Sequence, residues 1–276
     1  MSEVFYNAKN LTISNGFVKN PDRYYLEEYF KRRPAENIQI ATSEDAANTL
    51  IHNVSNKDFE ILGTNATKDD VTFSSVEAGI QLQTDGTTSA DQVIVLPHLD
   101  LNQTAWTGIK WGTENQVEWQ CAIRTGSSIA DTSFWAGLKL TEVPTYATDA
   151  DQAYFLYSSN DVQGALSTKA NLHFVYSVGG TDYITDLGVV VAISTIYKLR
   201  IVIDNHRQVA IYVNGVQYGL VTTSSAGGAT QSTTSTLSNP LTNDIDLIPY
   251  IGVQGLTSTA KQITLCYEKI SRVLFE

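Results

Sequence analysis

Cysteine is scarce in this sequence, with two in 276 residues. Two thiols make no disulfide framework, and no Cys-x-x-Cys or Cys/His cluster is present to hold zinc. Cys121 belongs to the every-second-residue apolar series Val117, Trp119, Cys121, Ile123, where a thiol serves as a small buried hydrophobe. Cys266 alternates with Thr264 and Glu268 and is assigned no chemistry. Basic charge is scarce too: 18 Lys and Arg stand against 29 Asp and Glu, a net charge of −11. That balance gives no electrostatic footprint for nucleic acid and would repel an anionic membrane. Long apolar runs are missing; the longest, Val189 to Ile193, is far too short to cross about 30 Å of hydrocarbon. The opening Met1-Ser2-Glu3-Val4 has neither the cationic nor the apolar part of a secretory signal, so synthesis in the cytoplasm is expected. No repeat with a period of roughly 20 to 50 residues is visible, which weakens a solenoid, a propeller or a repetitive shaft.

What is present is apolar content, 42%, enough for a substantial core at this length. From about residue 60 onward the period is two, the mark of half-buried strands. Between Tyr197 and Val221 two alternating runs are joined at Asn205-His206-Arg207, and a third follows Asn214-Gly215. Asn-Gly between such runs predicts a type I′ hairpin turn, because both central residues need positive φ. Further strands are predicted over Val71 to Val76, Gly79 to Gln83, Gln92 to Leu96, Val117 to Arg124, Phe134 to Leu140, Ala153 to Tyr157, Leu172 to Val178, Leu187 to Ile193, Ile248 to Val253, Gln262 to Tyr267 and Ile270 to Phe275. Strands apolar on one face need a second sheet to cover them, so a sandwich or barrel follows. Residues 222–243 carry no charge and twelve Ser or Thr; they read as a surface loop or a crossing between sheets.

Residues 1–60 read as a separate arm and 61–276 as the sandwich domain. Asn20-Pro21-Asp22, then Tyr24, Tyr25, Leu26, Tyr29 and Phe30, then Lys31-Arg32-Arg33-Pro34, predicts a short helix with cap, early acid, late base and a proline stop. Thr42 and Asp45 would cap a second over Ala46 to Ile51. The arm is aromatic and mildly basic, whereas the body is acidic. Its rings are too many for one helix face, so Phe5, Phe17, Tyr24, Tyr25, Tyr29 and Phe30 are candidate contacts with the chain's own sandwich, a sister subunit or a larger shell.

Catalytic constellations are not apparent in the spacing. Glycosidases on sandwich scaffolds need paired carboxylates. The pairs Glu114/Glu118, Asp149/Asp151 and Asp244/Asp246 read as solvated loop residues, since exposed carboxylates are common and catalytic pairs rare. His52, His98, His173 and His206 are scattered singly and fit surface or sheet roles. No phosphate loop, nucleophile elbow or EF-hand occurs, so neither cofactor nor metal is expected. Among Trp106, Trp111, Trp119, Trp135, Tyr146 and Tyr154, Trp119 shares its face with Val117 and Ile123 and reads as core. Trp135 lies opposite Phe134, Ala136 and Leu138, so it points outward and, with Tyr146, is the best candidate for a glycan contact.

The passage Tyr197 to Asp204 followed by Val209 to Val216 resembles the central hairpin of concanavalin A-like, laminin G-like jelly rolls. Phe134 to Leu140, Asp151 to Phe155, Leu172 to Tyr176 and Leu247 to Gln254 resemble bacteriophage virion structural proteins on that fold. The resemblance spans roughly residues 75–276 and implies an all-β antiparallel jelly-roll sandwich. It further implies a non-enzymatic cement or decoration protein on the capsid exterior, bound to a major capsid or other virion protein. The carboxylates of the related glucanases and the metal loop of the related lectins have no match here, so no family site residue carries over. A homo-oligomer, with a trimer suited to threefold shell positions, is expected. The alternative is a carbohydrate-binding module of a phage tail or host-recognition device.

Overall fold

The computed structural model describes residues 22–31, 34–36, 56–97, 111–140, 149–160, 166, 168–224, 229–230 and 235–274. Their strands, in chain order, are β1 (Arg23–Glu28), β2 (Pro34–Glu36), β3 (Asn56–Leu62), β4 (Val71–Phe73), β5 (Ile80–Gln83), β6 (Gln92–Pro97), β7 (Trp111–Gly112), β8 (Glu118–Thr125), β9 (Thr132–Lys139) and β10 (Gln152–Ser158). There follow β11 (Asn171–Val178), β12 (Thr181–Val190), β13 (Ile196–Ile203), β14 (Val209–Val213), β15 (Val216–Tyr218), β16 (Ala229–Thr230), β17 (Asp246–Gly255) and β18 (Gln262–Val273). They form two almost wholly antiparallel sheets. The first is eight-stranded, in the order β15-β14-β13-β8-β18-β5-β4 with β1 also on β18. The second is ten-stranded, in the order β16-β12-β11-β10-β9-β17-β6-β3-β2 with β7 also on β17. Consecutive strands β9 to β12 run on within the ten-stranded sheet and β13 to β15 within the other, while the chain crosses between the sheets at β3–β4, β5–β6, β7–β8, β8–β9, β12–β13 and β17–β18, in a jelly-roll sandwich.

The main core lies between the sheets. Trp119, Ile123, Ile201 and Ile211 face it from the eight-stranded sheet, and Phe134, Phe155, Phe174 and Val253 from the other. The period-two pattern therefore does what it implies, placing one face of each strand inward. The Asn214-Gly215 turn has φ of 52° and 83° and joins Val213 directly to Val216. At the preceding turn, Oδ1 of Asp204 accepts from the N–H groups of His206 and Gln208 at 2.8 and 2.9 Å.

The sequence expectation fails at three places. The helix expected after Asn20 is instead strand β1, paired along its length with β18 from Arg23↔Val273 to Glu28↔Glu268. A helix that short is marginal alone, whereas the β18 edge supplies a full ladder of partners to a tyrosine-rich segment. Strand β12 begins at Thr181, earlier than the expected Leu187, after a turn at Gly179-Gly180. The runs around Gln262 and Ile270 are one strand, β18, with a bulge between Leu265 and Tyr267. That bulge moves the inward positions from Ile263 and Leu265 to Glu268 and Ile270, which brings a carboxyl group into the core. The expected helix over Ala46 to Ile51 lies outside the described residues. No helix among the described residues is long and apolar enough to cross a membrane.

Candidate functional site

Side chains alternate across the ten-stranded sheet, so its register fixes what stands on the outer face, away from the main core. One cross-strand row runs Ile248, Lys139, Gln152, Ser177, Asp182. The next runs Tyr250, Gly137, Tyr154, Val175, Ile184, and the third Ile94, Gly252, Trp135, Leu156, His173, Asp186. Two glycines stand in these rows, Gly252 under a ring and Gly137 against the backbone of β10. A Cβ on Gly252 would lie 2.4 Å from Cζ2 of Trp135, so the indole rests on bare backbone, stacked on Tyr250 at 5.7 Å and 23°. A Cβ on Gly137 would lie 2.5 Å from the Ala153 carbonyl oxygen. The apolar members of these rows, with Leu62, Leu96 and Leu166, form a second buried cluster on this face.

Polar groups are set into that cluster. The Lys139 ammonium lies 3.3 Å from Oδ2 of Asp149, with both side chains withdrawn from solvent. It also stands 5.1 and 5.4 Å from the ring centres of Tyr154 and Tyr250, a cation–π arrangement. Beside it, Nε2 of Gln152 donates to Oγ of Ser177 at 2.8 Å, and the Ser177 hydroxyl donates to Oδ1 of Asp182 at 2.6 Å. Burial pushes the Asp182 carboxyl up from its ordinary value, although the Ser177 hydroxyl and Lys139 pull the other way. In the third row, Nδ1–H of His173 donates to the Asn171 carbonyl at 3.1 Å, and its Nε2 lies 3.9 Å from Oδ2 of Asp186. Burial would raise Asp186. The Gly188 and Asn171 N–H groups, each at 2.8 Å, with His173 and Thr168, outweigh it, and the carboxyl sits below its usual range. Two carboxyl groups on one strand face are thus driven in opposite directions.

The residues expected from sequence fall as follows. Trp135 does point to the outer face, but it is buried there rather than displayed to solvent. Asp149 and Asp151, read as solvated loop residues, are both buried: the first pairs with Lys139, and Oδ1 of the second accepts from the N–H groups of Gly179 and Thr242. Of the arm residues, Phe30 is buried against Phe59, ring centres 5.4 Å apart, and Tyr24 packs on Trp111 at 5.9 Å. Tyr25 is half-buried, and Tyr29 is 47% exposed beside Tyr267 and Lys269. Phe5, Phe17, Tyr146, Trp106, His52 and His98 lie outside the described residues. Trp119 and Cys121 are core, and burial holds the Cys121 thiol well above its ordinary pKa. Sequence reasoning passed over Lys139, Gln152, Ser177 and the Asp182/Asp186 pair. The signal for that pair was the Gly179-Gly180 turn, which starts β12 early enough to put both on one face. Among the described residues, no three His, Cys, Asp or Glu side chains are grouped as metal ligands would be.

The sequence matches no protein-family model, and no curated protein is significantly similar to it. Solved structures are similar in fold. One is a protein of unknown function from Shewanella oneidensis MR-1, 11% identical, covering 100% of this chain and 98% of its own, TM-score 0.46. A second is the carbohydrate-binding module CBM66 from Bacillus subtilis, 8% identical over 76% of this chain and 92% of that one, TM-score 0.41. A third is a beta-1,3-glucanase from Mycobacterium marinum, 10% identical over 89% and 97%, TM-score 0.49.

Proposed function

We propose that the protein binds carbohydrate on the outer face of its ten-stranded sheet and does not turn it over. One observation carries this reading: the hydrogen-bonded run Gln152, Ser177, Asp182 stands in the row beside Tyr154 and Tyr250. A pyranose offers hydroxyls around its rim and C–H groups on its faces, and takes both kinds of partner from a mostly apolar site. A face with no ligand to hold would be closed more cheaply by aliphatic side chains, because buried polar groups cost stability. Asp182, half-buried at the start of β12, gives this row an approach from solvent.

Binding without turnover is supported by spacing. Asp182 and Asp186 are four positions apart on β12, roughly 13 Å along a strand. Glycosidase carboxyl pairs work at about 5 to 9.5 Å. The test is a glycan array probed with the full chain, followed by calorimetry on the ligands retained. Ser177→Ala and Gln152→Ala should weaken binding while the fold survives. Unchanged binding in both overturns the reading, and release of reducing sugar, abolished in Asp182→Asn, would replace it with hydrolysis.

A second reading is attachment to a larger assembly such as a virion shell, with a homo-oligomer as the unit. It is supported by the exposed ring of Tyr29 in the arm. It predicts co-sedimentation with phage heads that is lost in Tyr29→Ser.

A further inference from the structure

Two polar atoms on the outer face have no hydrogen-bond partner among the described residues although both are buried: Nε1 of Trp135 and Oγ of Ser158. Nearly all buried polar groups in folded proteins are partnered, so each orphan needs a reason. Trp135 pairs with Leu156 and Ser133 with Ser158, which makes Trp135 and Ser158 diagonal neighbours on adjacent rows of the same face. The row of Ser158 continues through Ser133 to Gln254 and Gln92, both half-buried, and the chain beyond Ser158 passes through half-buried Ser159 to exposed Asn160. Solvent thus approaches to within one residue of Ser158. Ser133 is no candidate, since its hydroxyl donates to the Tyr157 carbonyl at 3.0 Å.

The charges on this face restrict what could complete those two groups. Its basic side chains among the described residues are Lys139 and His173, and each already lies against a carboxyl group, at 3.3 and 3.9 Å. Asp182 adds a further acidic group. A carboxylate or sulfate on the ligand would meet acid without a free counter-charge, whereas hydroxyl and ring oxygens can accept from an indole N–H at no electrostatic penalty.

We propose that Nε1–H of Trp135 and the Ser158 hydroxyl are ligand-binding groups that complete their hydrogen bonds on an uncharged glycan, and that the face rejects uronic and sulfated sugars. This rests on the carbohydrate-binding reading above. Retaining two orphaned groups costs the free protein stability, and a ligand that satisfies them recovers it.

The full chain labelled with 15N gives one indole N–H resonance for each of its four tryptophans, and that of Trp135 is identified by its loss in Trp135→Phe. Titration with cellohexaose, maltohexaose and laminarihexaose should include a neutral probe that moves the Trp135 resonance downfield. The Trp119 resonance, already bonded to Glu268, should stay in place. Ser158→Ala should weaken that probe roughly tenfold, the worth of about one hydrogen bond, with an unchanged or raised thermal midpoint. Oligogalacturonate should move nothing. Neutral-glycan binding that leaves both the Trp135 resonance and the Ser158→Ala affinity unaltered overturns this inference and spares the broader reading. Equal binding of oligogalacturonate overturns the charge selectivity. A wild-type chain that binds no glycan, on the array or here, overturns both.

Discussion

The indole N–H of Trp119 donates to Oε1 of Glu268 at 2.7 Å, between the two sheets and out of reach of solvent. Burial is the main reason that the Glu268 carboxyl is pushed up to about 8; the Trp119 bond opposes it, and Glu28, directly across the β1–β18 pair, adds to it. The folded chain therefore holds a proton that the unfolded chain releases near the ordinary glutamate value. Stability should fall as pH rises through the window between that value and about 8, with a slope approaching about 1.4 kcal/mol per pH unit. Denaturant unfolding across pH 4 to 9 checks this, and Glu268→Gln should flatten the curve. A wild-type curve already flat there would refute a protonated carboxyl in the core.

Asp149→Asn should destabilise the fold by roughly 3 to 5 kcal/mol, since it leaves Lys139 charged in a dry site. Lys139→Met combined with Asp149→Asn should cost less than the two single changes added together. Chemical denaturation in a double-mutant cycle measures that coupling, and strict additivity would show the pair to be energetically idle.

Gly252→Ala drives a methyl group into the Trp135 indole, with contacts of 2.4 to 2.8 Å. The ring must leave its stack on Tyr250, at a cost of roughly 1 to 3 kcal/mol. Near-ultraviolet circular dichroism should change along with the unfolding midpoint. An unaltered aromatic spectrum would mean that the indole has other room.

Phe30→Ala removes a fully buried ring from its edge-on contact with Phe59 and should cost about 3 to 5 kcal/mol. Phe30 closes β1 with a positive φ of 51°, so the same change should also loosen the β1–β18 pair, visible as faster amide exchange at Leu26 and Ile270. Were this part of the arm purely an external anchor, Phe30→Ala would leave unfolding unchanged.

Strands that alternate cleanly are legible in the sequence, and the β13–β14–β15 meander is the plainest case, down to its Asn214-Gly215 turn. What escapes a linear reading depends on long-range pairing. Arg23 to Glu28 carries helix signals, yet the β18 edge overrides them. Glu268 looks solvent-facing until the Leu265/Tyr267 bulge turns it inward. The outer-face site shows the same division. Lys139, Gln152 and His173 sit on strands recognised from their alternation, but only the register of β9 to β12 aligns them, and nothing local marks Asp149 as the partner of Lys139. Trp135 is oriented by alternation, whereas its burial depends on a second apolar cluster assembled from distant segments.

Strand β18 lies in the middle of the eight-stranded sheet, with β8 on one flank and both β5 and β1 on the other. Arg23 reaches Ser271 across 248 positions of chain. Such far-flung closures make folding slow, because chain entropy is lost before any contact repays it. On the ribosome, β8 and β5 emerge long before the strand that joins them, leaving sticky edges without neighbours while translation runs on. High yield should therefore depend on slow expression at low temperature or on chaperones that shield those edges.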